Sequence, residues 1–499
     1  MDSPSAKINS NYSESQPLKM TRVFVYLGFL IELTALATPL FASELPFVVK
    51  HKLQQLAIPE TAIGIYVHEI GSSQPVLTIN ADSSMNPASV MKLLTTYAGL
   101  ELLGPAYTWQ TILYANGKIT DDVLYGDLVI KGYGDPKLDL ENFWLLIHRL
   151  RQTGLREIKG NLILDHSHYE VARGDPGEFD GQPYRTYNVP PEALLINYRA
   201  STFHLFPQPE KNSVRIVIDP VSESLRVQNN LKLTQDKCGA WQNSLTIEAV
   251  TDKESKNNFT VVLNGSFSQH CGKQSYMLSL QDSTNYTGDL FRQLWAQQGG
   301  IFNGNAIFGQ APQYLLPLEI HRSPPLAEIV RGINKFSNNI AARQLFLALG
   351  TGNSSIDNPP ATLAKSDAAI RRWLASKQMN FTELVIENGS GLSRRERISA
   401  RHMGELLLAA FNSPVMPEFI ASLPIAAVDG TLKNRFSATS VKGLAHMKTG
   451  ALNNVRALAG YLIDETGRRV ILIFFINHDQ AEQSHAIMDG LIQWVYRRK

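Results

Sequence analysis

The sequence predicts an α+β fold in which an antiparallel sheet flanked by helices is interrupted by a long β-rich insert. Three observations predict it. Strand-like apolar runs at 445–450, 456–463 and 469–477 follow one another through short turns near the end of the chain, the spacing of antiparallel neighbours. Helical periodicity recurs at 290–296, 326–333 and 339–349. Between Tyr107 and about Ser283, short β-like runs broken by Gly, Pro and Asn dominate. At 499 residues the chain exceeds what one hydrophobic core usually holds, so two or three domains are expected.

The elements follow in order. Residues 1–42 form a leader: an apolar stretch from Val23 to Leu40 follows Arg22 and runs to small residues at Ala35-Leu36-Ala37 and Ala42-Ser43, the pattern of a signal peptide. Export, to the periplasm, is the expectation. Glu32 interrupts the stretch and residues 1–19 are a long polar lead, so a start at Met20 and an uncleaved anchor are alternatives. Strands are expected at 62–68 and 76–79 around the turn Gly71-Ser72-Ser73. A helix then starts with Asn86 as cap and Pro87 in its first turn, carries Met91, Leu93, Leu94, Tyr97 and Ala98, and stops at Gly104-Pro105. The insert, 106–284, contains runs at 128–130, 162–164, 213–218 and 259–263 and forms one module or two. Ser337 is expected on the helix 339–349, and 482–497 closes the chain as a helix.

Charge excludes some functions. Lys plus Arg number 47 against 45 Asp plus Glu, with no long block of either sign, so nucleic acid is not an expected partner. Cys238 and Cys271 are the two cysteines; in an exported chain they form one local disulfide or remain buried thiols. His166 and His168 alternate in an expected strand, but no third ligand accompanies them, so no metal or other cofactor is expected.

Three short strings carry chemistry: Ser89-Val90-Met91-Lys92, Ser337-Asn338-Asn339 and Lys448-Thr449-Gly450, in the order S-x-x-K, S-x-N, K-T-G of a serine acyl-transfer site. A serine hydroxyl is a weak nucleophile and needs a base within hydrogen-bond reach. Residues three apart share a helix face, so Ser89 and Lys92 present hydroxyl and amine side by side. Backbone N–H groups of the first turn favour developing negative charge at Ser89. Burial and a second cation, Lys448, disfavour charge on Lys92. Each string alone is commonplace: a surface serine near a lysine, a helix cap, a strand ending in a turn. Their conjunction in order carries the inference. Ser89 and Lys448 meet only if 43–105 and 285–499 form one discontinuous domain around the insert.

With these strings, Gly132-Tyr133-Gly134-Asp135-Pro136-Lys137-Leu138, the segment from Val189 to Leu194, Asn388-Gly389-Ser390-Gly391-Leu392-Ser393-Arg394, the segment from Val428 to Leu432 and Lys448 to Asn453 complete a wider pattern. The chain resembles the type-4 D-alanyl-D-alanine carboxypeptidases, class C low-molecular-mass penicillin-binding proteins of peptidase family S13, over essentially everything after the leader. The resemblance implies a penicillin-binding transpeptidase-like domain and a site that β-lactam antibiotics acylate as covalent inhibitors, with peptidoglycan stem peptides as substrate. It implies Ser89 as nucleophile, Lys92 as base, an oxyanion hole from the N–H groups of Ser89 and Ala451, and a proton relay through Ser337 and Lys448. Asn339 would hold Lys92 and the substrate amide, Thr449 and Gly450 line the substrate with Lys448, and DD-endopeptidase activity accompanies carboxypeptidase activity. Asp165 and Arg394 are candidates for the diamino acid side chain, against a strand-end carboxylate and a surface arginine. Ala451 departs from the Thr or Ser frequent in related enzymes. Two other classes compete: a β-lactamase, against which the insert argues, and a non-catalytic cell-wall scaffold, which would not need the reactive pair. Oligomeric state leaves no mark in the sequence.

Overall fold

In the computed structural model, residues 44–172, 174–251, 259–351 and 360–498 are described. The expected leader lies outside them. No helix among the described residues is long and apolar enough to cross a membrane.

A five-stranded antiparallel sheet organises the layers that carry the three short strings, in the order Ala445–Leu452, Val455–Ile463, Arg469–Asn477, Ile63–Glu69, Pro75–Ile79. The central strand reads Val-Ile-Leu-Ile-Phe-Phe-Ile without a polar break because both of its faces are covered. Strand alternation divides it between two cores. Ile471, Ile473 and Phe475 enter a core with the helices Lys92–Leu102, Leu326–Phe336, Asn339–Thr351 and Ala400–Phe411. Val470, Leu472, Phe474 and Ile476 enter another with Phe47–Gln55 and the closing helix His485–Arg497. A helical layer thus lies on each face, and the lysine of the K-T-G string sits on an edge strand.

The intervening chain builds two further cores. A mixed seven-stranded sheet is centred on the hairpin Gln110–Thr120 and Val123–Gly132 and carries two helices, Leu140–Gln152 and Ser283–Gln297. Both helices start at an aspartate that accepts from the third N–H of the helix, Asp139 from Asn142 and Asp282 from Asn285. This sheet does not end where the sequence suggests. The strand Pro317–Arg322 pairs with Gln110–Thr120, and Ala306–Phe308 with Leu162–Asp165, so an expected boundary at 284 cuts through a single sheet. Two three-stranded sheets share the other core, around Phe203, Val261 and Phe267. Cys238 and Cys271 are disulfide-bonded there, closing a loop of 33 residues. His166 and His168 lie beyond the end of the strand Leu162–Asp165 rather than within it. His166 faces Glu192 at 3.3 Å, and His168 packs edge-on to Tyr133.

Candidate active site

The site is assembled around a tight turn. Asn86 Oδ1 accepts from the Ala88 N–H at 2.8 Å, but the residue in the cap position is Pro87, and the first turn, Ala88–Met91, is a 3-10 helix that feeds the α-helix Lys92–Leu102. Asn86 also donates from Nδ2 to the Ser393 carbonyl at 2.9 Å, and its N–H reaches Asn477 Oδ1 at 2.8 Å. One side chain and its backbone therefore tie the turn to a loop and to the sheet. Two glycines permit the contact. A Cβ on Gly391, whose φ is +79°, would lie 2.0 Å from the Ala88 carbonyl oxygen, and one on Gly450 would lie 2.6 Å from that of Pro87.

Lys92 is completely buried. Its Nζ donates to Ser89 Oγ at 2.9 Å, to Asn339 Oδ1 at 2.6 Å and to the Ser390 carbonyl. Burial is the main force holding its pKa well below that of an ordinary lysine, and the Lys448 cation adds to it. The amine thus combines a fixed direction toward the serine with a disfavoured charge.

Ser337 does not lie on the helix expected to carry it. It ends the helix Leu326–Phe336 in the left-handed conformation, with φ at 56°, and Asn338 caps the next helix by accepting from Ala341 N at 3.0 Å. That turn aims the Ser337 hydroxyl at Lys448, whose Nζ donates to it at 2.9 Å and to the Thr449 carbonyl at 2.6 Å. Lys448 is fully buried, which lowers its pKa to about 7.

The strand edge completes the geometry. The Met447 N–H donates to the Pro424 carbonyl, away from the sheet, at 2.9 Å. Alternation places the backbone N–H groups of Thr449 and Ala451 on that same outer edge. Thr449 Oγ1 is 2.8 Å from Thr431 Oγ1, which anchors the Asp429-Gly430-Thr431 segment beside the strand.

Arg394 and Asp165 part company. Arg394 lines a cleft of about 570 Å³ with Phe179, Asn188, Arg343 and Glu387; its guanidinium donates to the Asn453 carbonyl at 2.9 Å and covers the Phe179 ring. Asp165 is fully buried, and its two oxygens accept from Ser167 N and Ala311 N, each at 2.8 Å. It is the strand-end carboxylate of the alternative reading and presents no oxygen to a ligand.

Two charged groups were missed from the sequence, one fully buried and one half-buried. Glu396 is wholly inaccessible and its Oε1 accepts from the N–H groups of Glu387 and Asn388, at 3.3 and 3.1 Å. Burial pushes its pKa up to about 7 against the pull of the Asn388 and Gly389 backbone N–H groups, Lys92 and Arg343. Arg343, on the second-motif helix, donates to the Tyr187 and Val189 carbonyls and has its pKa lowered by burial to about 10. The available signal was an acid enclosed in the run Arg394-Arg395-Glu396-Arg397.

The chain also has clear relatives. The family described as D-Ala-D-Ala carboxypeptidase 3 (S13) matches residues 47–498. The D-alanyl-D-alanine carboxypeptidase DacB of Haemophilus influenzae is 25% identical over 463 residues, covering 92% of this chain and 93% of the relative. A D-alanyl-D-alanine carboxypeptidase of Actinomadura sp. is 25% identical over 441 residues, covering 85% of this chain and 80% of that protein. The crystal structure of penicillin binding protein 4 (dacB) from Haemophilus influenzae has the same fold, with a TM-score of 0.74 at 24% identity across 90% of this chain and 99% of that one. The chain belongs to the D-Ala-D-Ala carboxypeptidase 3 (S13) family and is a hydrolase of that family.

Proposed function

We propose that this family member cleaves the bond between the last two D-alanines of peptidoglycan stem peptides through an acyl-enzyme on Ser89. The observation that carries the reading is the 2.9 Å contact between Ser89 Oγ and a buried Lys92 amine whose charge is suppressed. Neutral Lys92 takes the hydroxyl proton as Ser89 attacks the carbonyl carbon. The N–H groups of Ser89 and Ala451 then receive the developing oxyanion, a device worth roughly a hundred- to a thousandfold per donor. As the C–N bond breaks, Ser337, backed by Lys448, passes a proton to the departing D-alanine amine. Water hydrolyses the ester and regenerates Ser89.

Recognition follows the same surfaces. Lys448 and Thr449, beside Gly450 on the outer edge, hold the terminal carboxylate, and Asn339 divides its amide between Lys92 and the substrate. Arg394, at the mouth of the cleft, contacts the diamino acid side chain. A cross-link presents the same D-alanyl carbonyl with a different leaving amine, so DD-endopeptidase activity belongs to this site too. β-Lactams acylate Ser89 as covalent inhibitors; the Haemophilus influenzae protein has been crystallised in complex with a β-lactam. The leader directs export to the periplasm, where the substrate lies. Among the described residues, the layers that carry this chemistry comprise 44–105 and the chain from about residue 323 onward. Incubation of residues 43–499 with a stem pentapeptide tests the proposal: release of D-alanine supports it, and a peptide left intact by unlabelled protein, of which a parallel sample is fully labelled by penicillin, rejects the substrate assignment.

A further inference from the structure

A second cavity, also of about 570 Å³, opens in the intervening chain and shares no residue with the Ser89 site or with the Arg394 cleft. It lies where the two cores of that chain meet. One wall is the turn 220–224 between the strands Ser213–Asp219 and Leu225–Thr234; the other is the helix Ser283–Gln297, with the strand Ala306–Phe308 beside it. Asp289, on the helix, joins the two walls. Its Oδ2 accepts from Ser222 Oγ at 2.6 Å, from Ser224 N and Gln281 Nε2 at 3.2 Å each, and from Ser224 Oγ, while Arg292 lies 3.5 Å from its Oδ1. These bonds fix the shape of the cavity ahead of any ligand. Glu223 from the turn and Asn305 from the strand side stand exposed along its rim. At the start of the helix, Thr284 Oγ1 and Asn285 Nδ2 donate to the Asp282 carboxylate at 2.6 and 2.8 Å, and Ile307, 43% exposed, adds an apolar patch.

The lining selects a class of ligand. Three carboxylates, Glu223, Asp282 and Asp289, stand against one guanidinium, Arg292, so the cavity disfavours anions. Among the described residues no group of acids and histidines, these three included, is spaced to hold a metal ion. Ionised carboxylates only accept hydrogen bonds, and sugar hydroxyls supply donors in adjacent pairs. The Asn305 amide and the Arg292 guanidinium can answer hydroxyl and acetamido oxygens, and Ile307 suits the C–H face of a ring. The volume falls in the range of small-ligand sites. We propose that this cavity binds an uncharged glycan of N-acetylated hexosamines, the strand from which stem peptides hang, and holds the polymer on the insert while Ser89 acts on the peptide. The choice of glycan rests on the peptidoglycan reading proposed above. Attachment at a second place makes the encounter at Ser89 intramolecular, so the gain falls on KM for glycan-linked substrate.

The probe is N,N′,N″-triacetylchitotriose, titrated calorimetrically into the full mature chain in the presence of saturating penicillin, with maltotriose as the control sugar. The acetylated triose binds and maltotriose does not. Glu223→Gln weakens binding by about tenfold, the size of one hydrogen bond to a charged group, and Asn305→Ala weakens it as well. Both positions are exposed, so both variants fold, which circular dichroism verifies. Absence of triose binding, equal binding of maltotriose, or binding unmoved by both substitutions overturns the proposal. Displacement of the triose by spermidine also overturns it, because the cavity is then a cation site. The second readout is D-alanine release from a stem pentapeptide, free and glycan-linked. The parent shows the lower KM for the linked form, and Glu223→Gln removes that advantage while leaving kcat and the free peptide unchanged. Equal KM for the two substrates in the parent overturns the anchoring role. A parent that cleaves neither substrate rejects the peptidase reading alone, and the triose titration then decides the glycan site.

Discussion

Lys448 Nζ lies 2.9 Å from Ser337 Oγ, although 111 residues separate them. The contact depends on a left-handed turn at Ser337 and on the position of Lys448 at the sheet edge. It closes the site opposite the Ser89–Lys92 pair, and each element of the account can be tested separately.

Lys92→Met should leave a folded protein that acquires little or no penicillin. General base catalysis contributes about a hundred- to ten-thousandfold, so acylation should fall by that factor or more. Stopped-flow labelling measures the rate, and circular dichroism verifies the fold. Acylation within tenfold of the parent would remove Lys92 from its assigned role.

Lys448 is expected to control the alkaline side. Its pKa is lowered to about 7 by burial, from an ordinary 10.5, so above about 7 the free enzyme loses the cation that would hold the substrate carboxylate. The kcat/KM for stem peptide should therefore fall as pH rises through that value, with the loss expressed chiefly in KM. Stability has the opposite trend. Between pH 7 and 10.5 the unfolded chain binds a proton at this lysine that the folded chain does not, so the contribution of Lys448 to folding becomes more favourable as pH increases. Lys448→Met should raise Tm at neutral pH while abolishing peptide turnover, which differential scanning fluorimetry and a D-alanine release assay measure.

Gly391→Ala should be costly for two reasons at once, a φ of +79° and a Cβ only 2.0 Å from the Ala88 carbonyl oxygen. A loss of about 2–4 kcal/mol in urea unfolding is expected. Labelling of Ser89 should fall with it because the displaced backbone is that of the turn carrying Ser89.

Reduction of the Cys238–Cys271 bridge should act elsewhere. By loop entropy a 33-residue closure contributes about 3–4 kcal/mol. Cys238→Ser with Cys271→Ser should loosen the module around Phe267, seen as faster hydrogen exchange there, with Ser89 acylation unchanged.

Nitrocefin separates this enzyme from a β-lactamase. A single burst of colour, followed by slow release, is expected; sustained turnover in the hundreds per second would place the deacylation machinery of a β-lactamase at Ser89.

The sequence disclosed the sheet because its strands are long, apolar and bounded by turns: 456–463 and 469–477 lie within a residue of Val455–Ile463 and Arg469–Asn477. It disclosed the pairing of Ser89 with Lys92 because helical spacing is local. It misplaced Ser337 because a left-handed serine between two helices carries no local mark of its conformation; the Asn338 cap was the nearer clue. It ended the insert too early because the helix Ser283–Gln297 interrupts the β pattern while still packing on the same sheet. Glu396 escaped because an acid among arginines reads as surface, and only the packed loop shows which side chain turns inward.

The most direct test of the central claim is peptide mapping of the mature chain after reaction with fluorescent penicillin, with Ser89→Ala in parallel. The account predicts one covalent adduct per molecule, located on Ser89 and absent from Ser89→Ala. A folded protein without an adduct, or an adduct that persists in Ser89→Ala, would contradict it.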